Sequence, residues 1–109
     1  MTLTELQIIL QATGFPVAYS HFVETDDSPI PAPPFICYLC TYSAHFFADD
    51  KVHKSIDTVH IELYTSKKDL DAEAKLEAIL NENEIPYNTI EIYIQVEKLF
   101  QKIYEIEVL

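Results

Sequence analysis

The pattern of apolar and polar positions over residues 56–80 changes from a strand period to a helix period within a few residues. In the first part, apolar side chains alternate with polar ones, which is typical of a strand with one buried face. Its apolar positions are Val59, Ile61 and Leu63, and its polar ones are His60, Glu62 and Tyr64. The run 66–69 then resembles a helix start, and the apolar positions that follow recur at helical spacing, namely Ala72, Leu76, Ile79 and Leu80. This pattern predicts a strand over about 55–65, a helix over about 67–83, and hence an α+β fold.

A second helix is predicted at the start of the chain. Thr2 and Glu5 have the T-x-x-E spacing of a capping box, and an apolar stripe follows at Leu3, Leu6, Ile9 and Leu10. Gly14, the only glycine of the 109 residues, lies where a helix end favours a left-handed residue. A short strand is expected after it, over 17–22.

The remaining elements are strands. Residues 24–34 are an acidic and then proline-rich loop, and the apolar run 35–43 predicts a strand that is covered on both faces. Residues 44–54 are interpreted as a hairpin connection. Two more alternating strands are expected over 87–94 and 102–109. The order α-β-β-β-α-β-β indicates an α+β domain with a mixed, mostly antiparallel sheet and two helices packed on one face. We expect one domain over 1–109.

The charge of the chain restricts its partners. The net charge is −11, there is no arginine, and the acidic residues are spread over both halves. Such a surface repels the phosphate backbone and lacks the bidentate guanidinium group that favours phosphate, so specific nucleic-acid binding is not expected. No apolar run reaches the ~18 residues of a membrane helix, and no basic leader precedes an apolar segment. We therefore expect no membrane association, and a protein that works or assembles inside a cell.

A search for catalytic or metal-binding patterns gives no strong candidate. Cys37 and Cys40 have C-x-x-C spacing, but residues i and i+3 of a strand point to opposite faces, so core thiols are the favoured interpretation. His60 beside Glu62 is typical of a solvated pair, and the pairs Asp26-Asp27 and Asp49-Asp50 fit no calcium loop. We predict no enzyme activity, no metal and no cofactor.

Phe46 and Phe47 are the best candidates for a contact with another molecule. Adjacent residues of an extended segment face opposite ways, so one ring can pack inward while the other is exposed. A hairpin tip folded over the core is the favoured interpretation, and an aromatic anchor for a neighbouring subunit is the alternative. The candidates for a subunit interface or a ring lumen are Phe46, Phe47, Asp49, Asp50, Lys51, Pro33 and Pro34.

Most of the chain resembles one family of phage proteins. The similar segments are 14–19 (GFPVAY), 33–39 (PPFICYL), 47–52 (FADDKV), 59–69 (VHIELYTSKKD) and 104–108 (YEIEV). They resemble tail terminators, also called tail-completion or tail-to-head joining proteins, of siphophages and prophages of Gram-positive bacteria.

The resemblance implies a structural role without a cofactor. Proteins of this family form a ring, typically a hexamer, that caps the tail tube where it meets the head. The implied partners are copies of the chain itself, the major tail tube protein and the head-tail connector protein. The implied location is the virion tail, assembled in the cytoplasm of the bacterial host. Asp49, Asp50 and other loop acids are then hypothesised to line the lumen, where DNA passes without binding.

Three other interpretations remain open. The chain is alternatively another head-tail connector or minor tail component. From a different class, an acidic domain is a candidate DNA mimic that inhibits a nucleic-acid enzyme, although these acids are mixed with lysines rather than set in a row. An enzyme is the third, and would require a pocket with convergent titratable groups.

Overall fold

A computed structural model describes residues 1–48 and 51–109, and the side chains of 1–45 and 55–109. It contains two helices and five strands in the predicted order α-β-β-β-α-β-β. In chain order they are α1 (Leu3–Gln11), β1 (Val17–Tyr19), β2 (Phe35–Ala48), β3 (Lys51–Thr65), α2 (Leu70–Glu82), β4 (Asn88–Ile94) and β5 (Leu99–Val108). The predicted α+β class is confirmed.

The five strands form one mixed sheet with the order β1-β2-β3-β5-β4. β1 runs parallel to β2, and every other pair is antiparallel. β5 is the last strand of the chain, yet it lies between β3 and β4, where it pairs with Asp57–Thr65 on one side and with all of β4 on the other. The sheet therefore has β4 as one edge and the short β1 as the other.

Both helices pack on the same face of the sheet, as predicted. The buried cluster on this face combines the apolar stripes of α1 and α2 with alternate residues of β2, β3 and β5. Its fully buried members include Leu6, Leu10, Ile36, Val59, Ile61, Leu76, Leu80, Tyr104 and Ile106. The alternation that predicted Val59, Ile61 and Leu63 on one face of β3 is thus confirmed.

The ends of α1 follow the expected chemistry. The Thr2 hydroxyl accepts a hydrogen bond from the Glu5 backbone N–H at 3.1 Å and donates one to the Glu5 carboxylate at 3.2 Å. Such a cap satisfies backbone N–H groups that have no partner within the helix. After the helix, Gly14 has φ +85, in the left-handed region that favours glycine.

We expect the substitution Gly14→Ala to lower the free energy of unfolding by about 1 kcal/mol, because a Cβ atom disfavours the left-handed region. A Cβ at this position would meet no atom within 4 Å, so the loss comes from the backbone alone. Urea denaturation measures it. Gly14→Asn is the matched control, and it should retain more stability than Gly14→Ala because asparagine adopts this region more readily than alanine. Equal losses in both variants would contradict this explanation.

Five predicted boundaries are wrong. The helix α2 begins at Leu70 and not at about 67, and β5 begins at Leu99 and not at 102. Residues 44–54 are not a connection, since β2 continues to Ala48 and β3 begins at Lys51. The strand expected over 17–22 ends at Tyr19. The run 35–43 is buried on both faces only from Phe35 to Tyr38, and residues 41–43 are exposed. The cause is that the helix-side core and the loop after β1 cover only this end of β2, where Ile36 and Tyr38 join the core and the Phe22 ring packs on Phe35.

Among the described residues, neither helix has the length and apolar character needed to cross a membrane.

Candidate functional site

Among the described residues, the face of the sheet opposite the helices is covered only at one end, where the loop after β1 packs on it. We call this face of the sheet the bare face. On each strand, this face carries the side chains that lie between the core positions. On β2 and β3 they are Phe35, Cys37, Leu39, His60, Glu62 and Tyr64. On β5 and β4 they are Leu99, Gln101, Ile103, Glu105, Ile90, Ile92 and Ile94. On β4 this leaves Ile90 and Ile92 53% and 43% exposed. A row of exposed isoleucines on an unpaired edge strand is typical of an interaction surface.

One end of the bare face is a groove of about 410 Å³. The loop after β1 passes over this end of the sheet, and the β4–β5 turn closes the opposite side. The lining of the groove is mostly apolar and includes Phe22, Ile30, Phe35, Tyr64, Ile94 and Leu99. Aromatic contacts fix the groove floor, with ring centroids 5.0 Å apart for Phe35 and Tyr64 and 5.4 Å apart for Phe22 and Phe35. The groove is therefore formed by distant segments of this one chain.

A polar network runs along the bare face beside the groove. The Tyr64 hydroxyl donates a hydrogen bond to Glu62 Oε1 at 3.0 Å and accepts one from Gln101 Nε2 at 2.9 Å. His60 Nε2 lies 3.0 Å from Glu105 Oε2 on the neighbouring strand. His60 therefore pairs across the sheet with Glu105, and not with Glu62 as its sequence neighbourhood suggested.

Burial on the bare face favours the neutral forms of Glu62 and Cys37. Burial raises the pKa of the Glu62 carboxyl, and this outweighs the lowering by the Tyr64 hydrogen bond and by His60. Burial, and then the charge of Glu62, raise the pKa of the Cys37 thiol to about 11. Since the thiolate is the reactive form, Cys37 has the properties of a core thiol and not of a nucleophile.

The two cysteines, both within the described part of the chain, are free and lie on opposite faces of β2. Cys37 pairs with Glu62 on the bare face, whereas Cys40 pairs with the core residue Val59. The prediction that the two cysteine side chains point to opposite faces of the strand is confirmed. Among the described side chains, no three His, Cys, Asp or Glu residues are placed to hold a metal ion.

A second candidate surface is the far end of the β2–β3 hairpin. We call residues 42–48 and 51–56 the arm. Among the described residues these two strands pair only with each other, because β1 ends its pairing at Tyr38 and β5 reaches only to Asp57. A register shift between Cys40 and Tyr42 places a bulge at Thr41, where the arm begins. Seven residues of strand extend roughly 23 Å, so the arm projects well beyond the core.

The dimensions of the molecule agree with a projecting arm. The radius of gyration is 15.3 Å, whereas a compact domain of this length has about 13 Å. Tyr42, at the base of the arm, is 66% exposed. The described part of the arm therefore has little of the burial that stabilises the rest of the sheet.

The candidate interface residues from the sequence fall into two places. Phe46, Phe47 and Lys51 lie in the arm strands, but their side chains are outside the described set, as are Asp49 and Asp50 entirely. Pro33 lines the groove, and Pro34 follows it through a cis peptide bond. Since β2 begins at Phe35, the two groups are roughly 40 Å apart along the strand. The structure does not bring them together into one site.

Besides the arm, two features of the structure were not predicted. The groove combines the loop after β1 with parts of β2, β3, β4 and β5, and no local pattern in the sequence indicates such a meeting. The second is an ion cluster on the helix side, which we call the Glu73 cluster. In it, Lys68 and Lys102 each approach Glu73 to 2.8 Å, and Lys68 also lies 2.7 Å from Glu91. The i, i+5 spacing of Lys68 and Glu73 was the only local signal for it.

No model of a known protein family matches this chain, and no curated protein matches it either.

Proposed function

We propose that this chain is a structural subunit of a phage tail, a tail terminator that forms a ring on the end of the tail tube and joins it to the head connector. The observation that carries the proposal is the arm. A two-stranded ribbon is at best marginally stable alone in water, so a third strand or a packed partner is needed to hold it. A neighbouring copy in a ring provides such a partner for every arm.

The geometry of the sheet favours a head-to-tail arrangement of copies. The arm extends from one end of β2 and β3, so its partner surface on the next copy is a different part of the subunit. A contact between two different surfaces repeats from one copy to the next and closes into a ring when its rotation allows. Phe46 and Phe47, on the arm, are the proposed aromatic anchors for the adjacent subunit.

The charge of the chain suits a conduit for DNA. With a net charge of −11 and no arginine, copies around a lumen repel phosphate and let the duplex pass without binding. Asp49 and Asp50 lie between the two arm strands in sequence, and we propose them as lumen residues together with other loop acids.

The decisive experiment is electron microscopy of lysates from a phage that encodes this chain, with its gene deleted and then restored. Loss of a terminator should leave tails of uncontrolled length, or filled heads and tails that are not joined. Normal virions from the deleted phage would overturn the proposal.

A variant with a shortened arm tests the role of the arm itself. Replacing residues 45–55 by Asn-Gly closes the hairpin after the Ala44–Ile56 pair with a favourable two-residue turn. We expect cooperative unfolding to persist, because the core lies outside the arm, while ring assembly on purified tail tubes is lost. Rings of normal appearance from the shortened variant would contradict a role of the arm in assembly.

A further inference from the structure

The groove and the isoleucine row beside it form one continuous apolar surface. Ile94 belongs to both, since it lines the groove and follows Ile90 and Ile92 on the same face of β4. The volume of the groove, about 410 Å³, lies within the roughly 300–1,000 Å³ of typical ligand pockets. The edge of β4 next to it has no pairing strand in the described part of the chain. An extended peptide segment has the shape to occupy this surface.

The charges around this surface are acidic. Glu97 lines the groove, and Glu62 is bound to its floor through the Tyr64 hydroxyl. Glu105 lies further along the same face. Among the described side chains, no lysine lines the groove, and the nearest in sequence is Lys98, in the turn next to Glu97.

The lysines with described contacts lie on the helix side. Lys68 and Lys102 bind Glu73, and Lys75 lies 5.6 Å from the centre of the Phe15 ring. The bare face is thus an apolar surface with carboxylates and no described lysine, where the basic groups are His60, paired with Glu105, and His21 in the groove lining. Such a surface favours a partner of the opposite charge.

We propose that the groove and the adjoining edge of β4 bind an extended segment of a different protein, one with a large apolar side chain for the groove and a Lys or Arg about two residues away for Glu62 or Glu97. A second copy of this chain is disfavoured as the occupant, because it would bring its own charge of −11 to an acidic surface. The inference rests on the proposed function in one respect, since it assigns this surface to the neighbouring head connector protein and leaves the arm to contacts between copies.

The state of Glu62 supports this assignment. Its carboxylate has lost part of its hydration on the half-buried bare face, and burial is the main cause of its raised pKa. A cation from a partner would replace that lost hydration by a direct contact and favour the charged form. The free protein therefore carries a carboxylate that gains from a cationic partner.

A pair of synthetic peptides tests the inference on the purified chain. The probes are Lys-Val-Phe-Val-Lys and its matched acidic form Glu-Val-Phe-Val-Glu, both with blocked ends, titrated into labelled protein and followed by amide NMR resonances. The cationic peptide should shift the resonances of Cys37, Tyr64 and Leu99. The acidic peptide should bind at least tenfold more weakly, a difference of about 1.4 kcal/mol. Equal binding of the two peptides, or shifts confined to other parts of the chain, would overturn the inference.

The variant Glu62→Gln separates charge from shape, because glutamine keeps the size of the side chain and its acceptor for Tyr64. We expect it to weaken binding of the cationic peptide several-fold. The matched control Glu82→Gln removes the same charge at the exposed end of α2, away from the bare face, and should leave binding unchanged. Equal effects of the two variants would mean that only overall charge matters and would overturn the assignment of Glu62.

Complementation separates this inference from the proposed function. A phage restored with the double variant Glu62→Gln, Glu97→Gln should form rings on its tails but leave heads and tails unjoined. Normal virions from that phage would overturn this inference, yet leave the tail function standing, since that function is tested by deletion of the whole gene.

Discussion

Replacing Leu76 by alanine is expected to lower the free energy of unfolding by about 3 kcal/mol, within the range of about 2–5 kcal/mol for such substitutions in a packed core. Leu76 is fully buried in the middle of α2, within the cluster that joins both helices to the sheet. Its truncation removes apolar contacts and leaves a cavity that the surrounding strands fill only in part. Urea denaturation should show a lower midpoint with an unchanged slope.

Leu70→Ala is the matched control for this substitution. Leu70 begins the same helix but is 69% exposed, so the same chemical change should cost no more than about 0.5 kcal/mol. A similar loss in both variants would mean that burial of the side chain does not determine the effect.

The substitution Glu73→Gln is expected to lower the free energy of unfolding at pH 7 by about 1–2 kcal/mol, because it removes charge-assisted hydrogen bonds between a buried carboxylate and two partly exposed lysines. Glu73 is only 6% exposed, and its carboxylate contacts Lys68 and Lys102. These contacts join α2 to β5 and, through Glu91, to β4. Glu82→Gln, at an exposed position of the same helix, is the control and should have little effect.

The lowered pKa of Glu73 predicts how the stability difference between wild type and Glu73→Gln changes with pH. Burial alone would raise the pKa of Glu73, but the hydrogen bonds from Lys102 and Lys68 and their charges outweigh it, so the pKa is lowered. A lowered carboxyl pKa stabilises the folded state above the ordinary pKa of the group, and this gain is lost as pH falls through the folded value. The difference between wild type and Glu73→Gln should therefore shrink as the pH falls below about 4.5, the ordinary value.

The raised pKa of Lys102 predicts that the stabilisation by the Glu73 cluster is also lost at high pH. Burial lowers the pKa of Lys102, but the hydrogen bond and charge of Glu73 outweigh this effect and raise it overall. The gain from a raised lysine pKa is lost as pH rises through the folded value. Chemical denaturation across the pH range measures both limits, and a difference that does not change with pH would contradict the electrostatic explanation.

The strand-to-helix change in residues 56–80 could be predicted because it depends on local rules. Alternation assigned Val59, Ile61 and Leu63 to one face, and Asp69 caps α2 by accepting a hydrogen bond from the Ala72 backbone N–H at 3.0 Å. The same rules grouped Ile90, Ile92 and Ile94, but they do not say which face the helices cover. That depends on the position of β4 in the sheet, which is set by pairing over a long separation in sequence.

The candidate site was less predictable than the fold. The sequence drew attention to Pro33, which lines the groove, but not to Tyr64 or Leu99, which have the appearance of ordinary strand residues. Their role arises only where segments distant in sequence meet. The arm was missed for a related reason, since alternation over 44–54 is weak and a ribbon of two strands has no buried face to impose it.

The place of β5 between β3 and β4 has a consequence for synthesis on the ribosome. The helix α2 and the β2–β3 hairpin emerge first, but the edge of β3 that β5 covers stays open until residues 99–108 have been made. Tyr104 and Ile106, which complete the core, arrive at the same late moment. Nascent chains therefore expose an unpaired strand beside unfilled apolar surface, the form most prone to aggregate or to be bound by chaperones. Slow translation of this last strand should lower the yield of soluble protein more than an equal delay within α1.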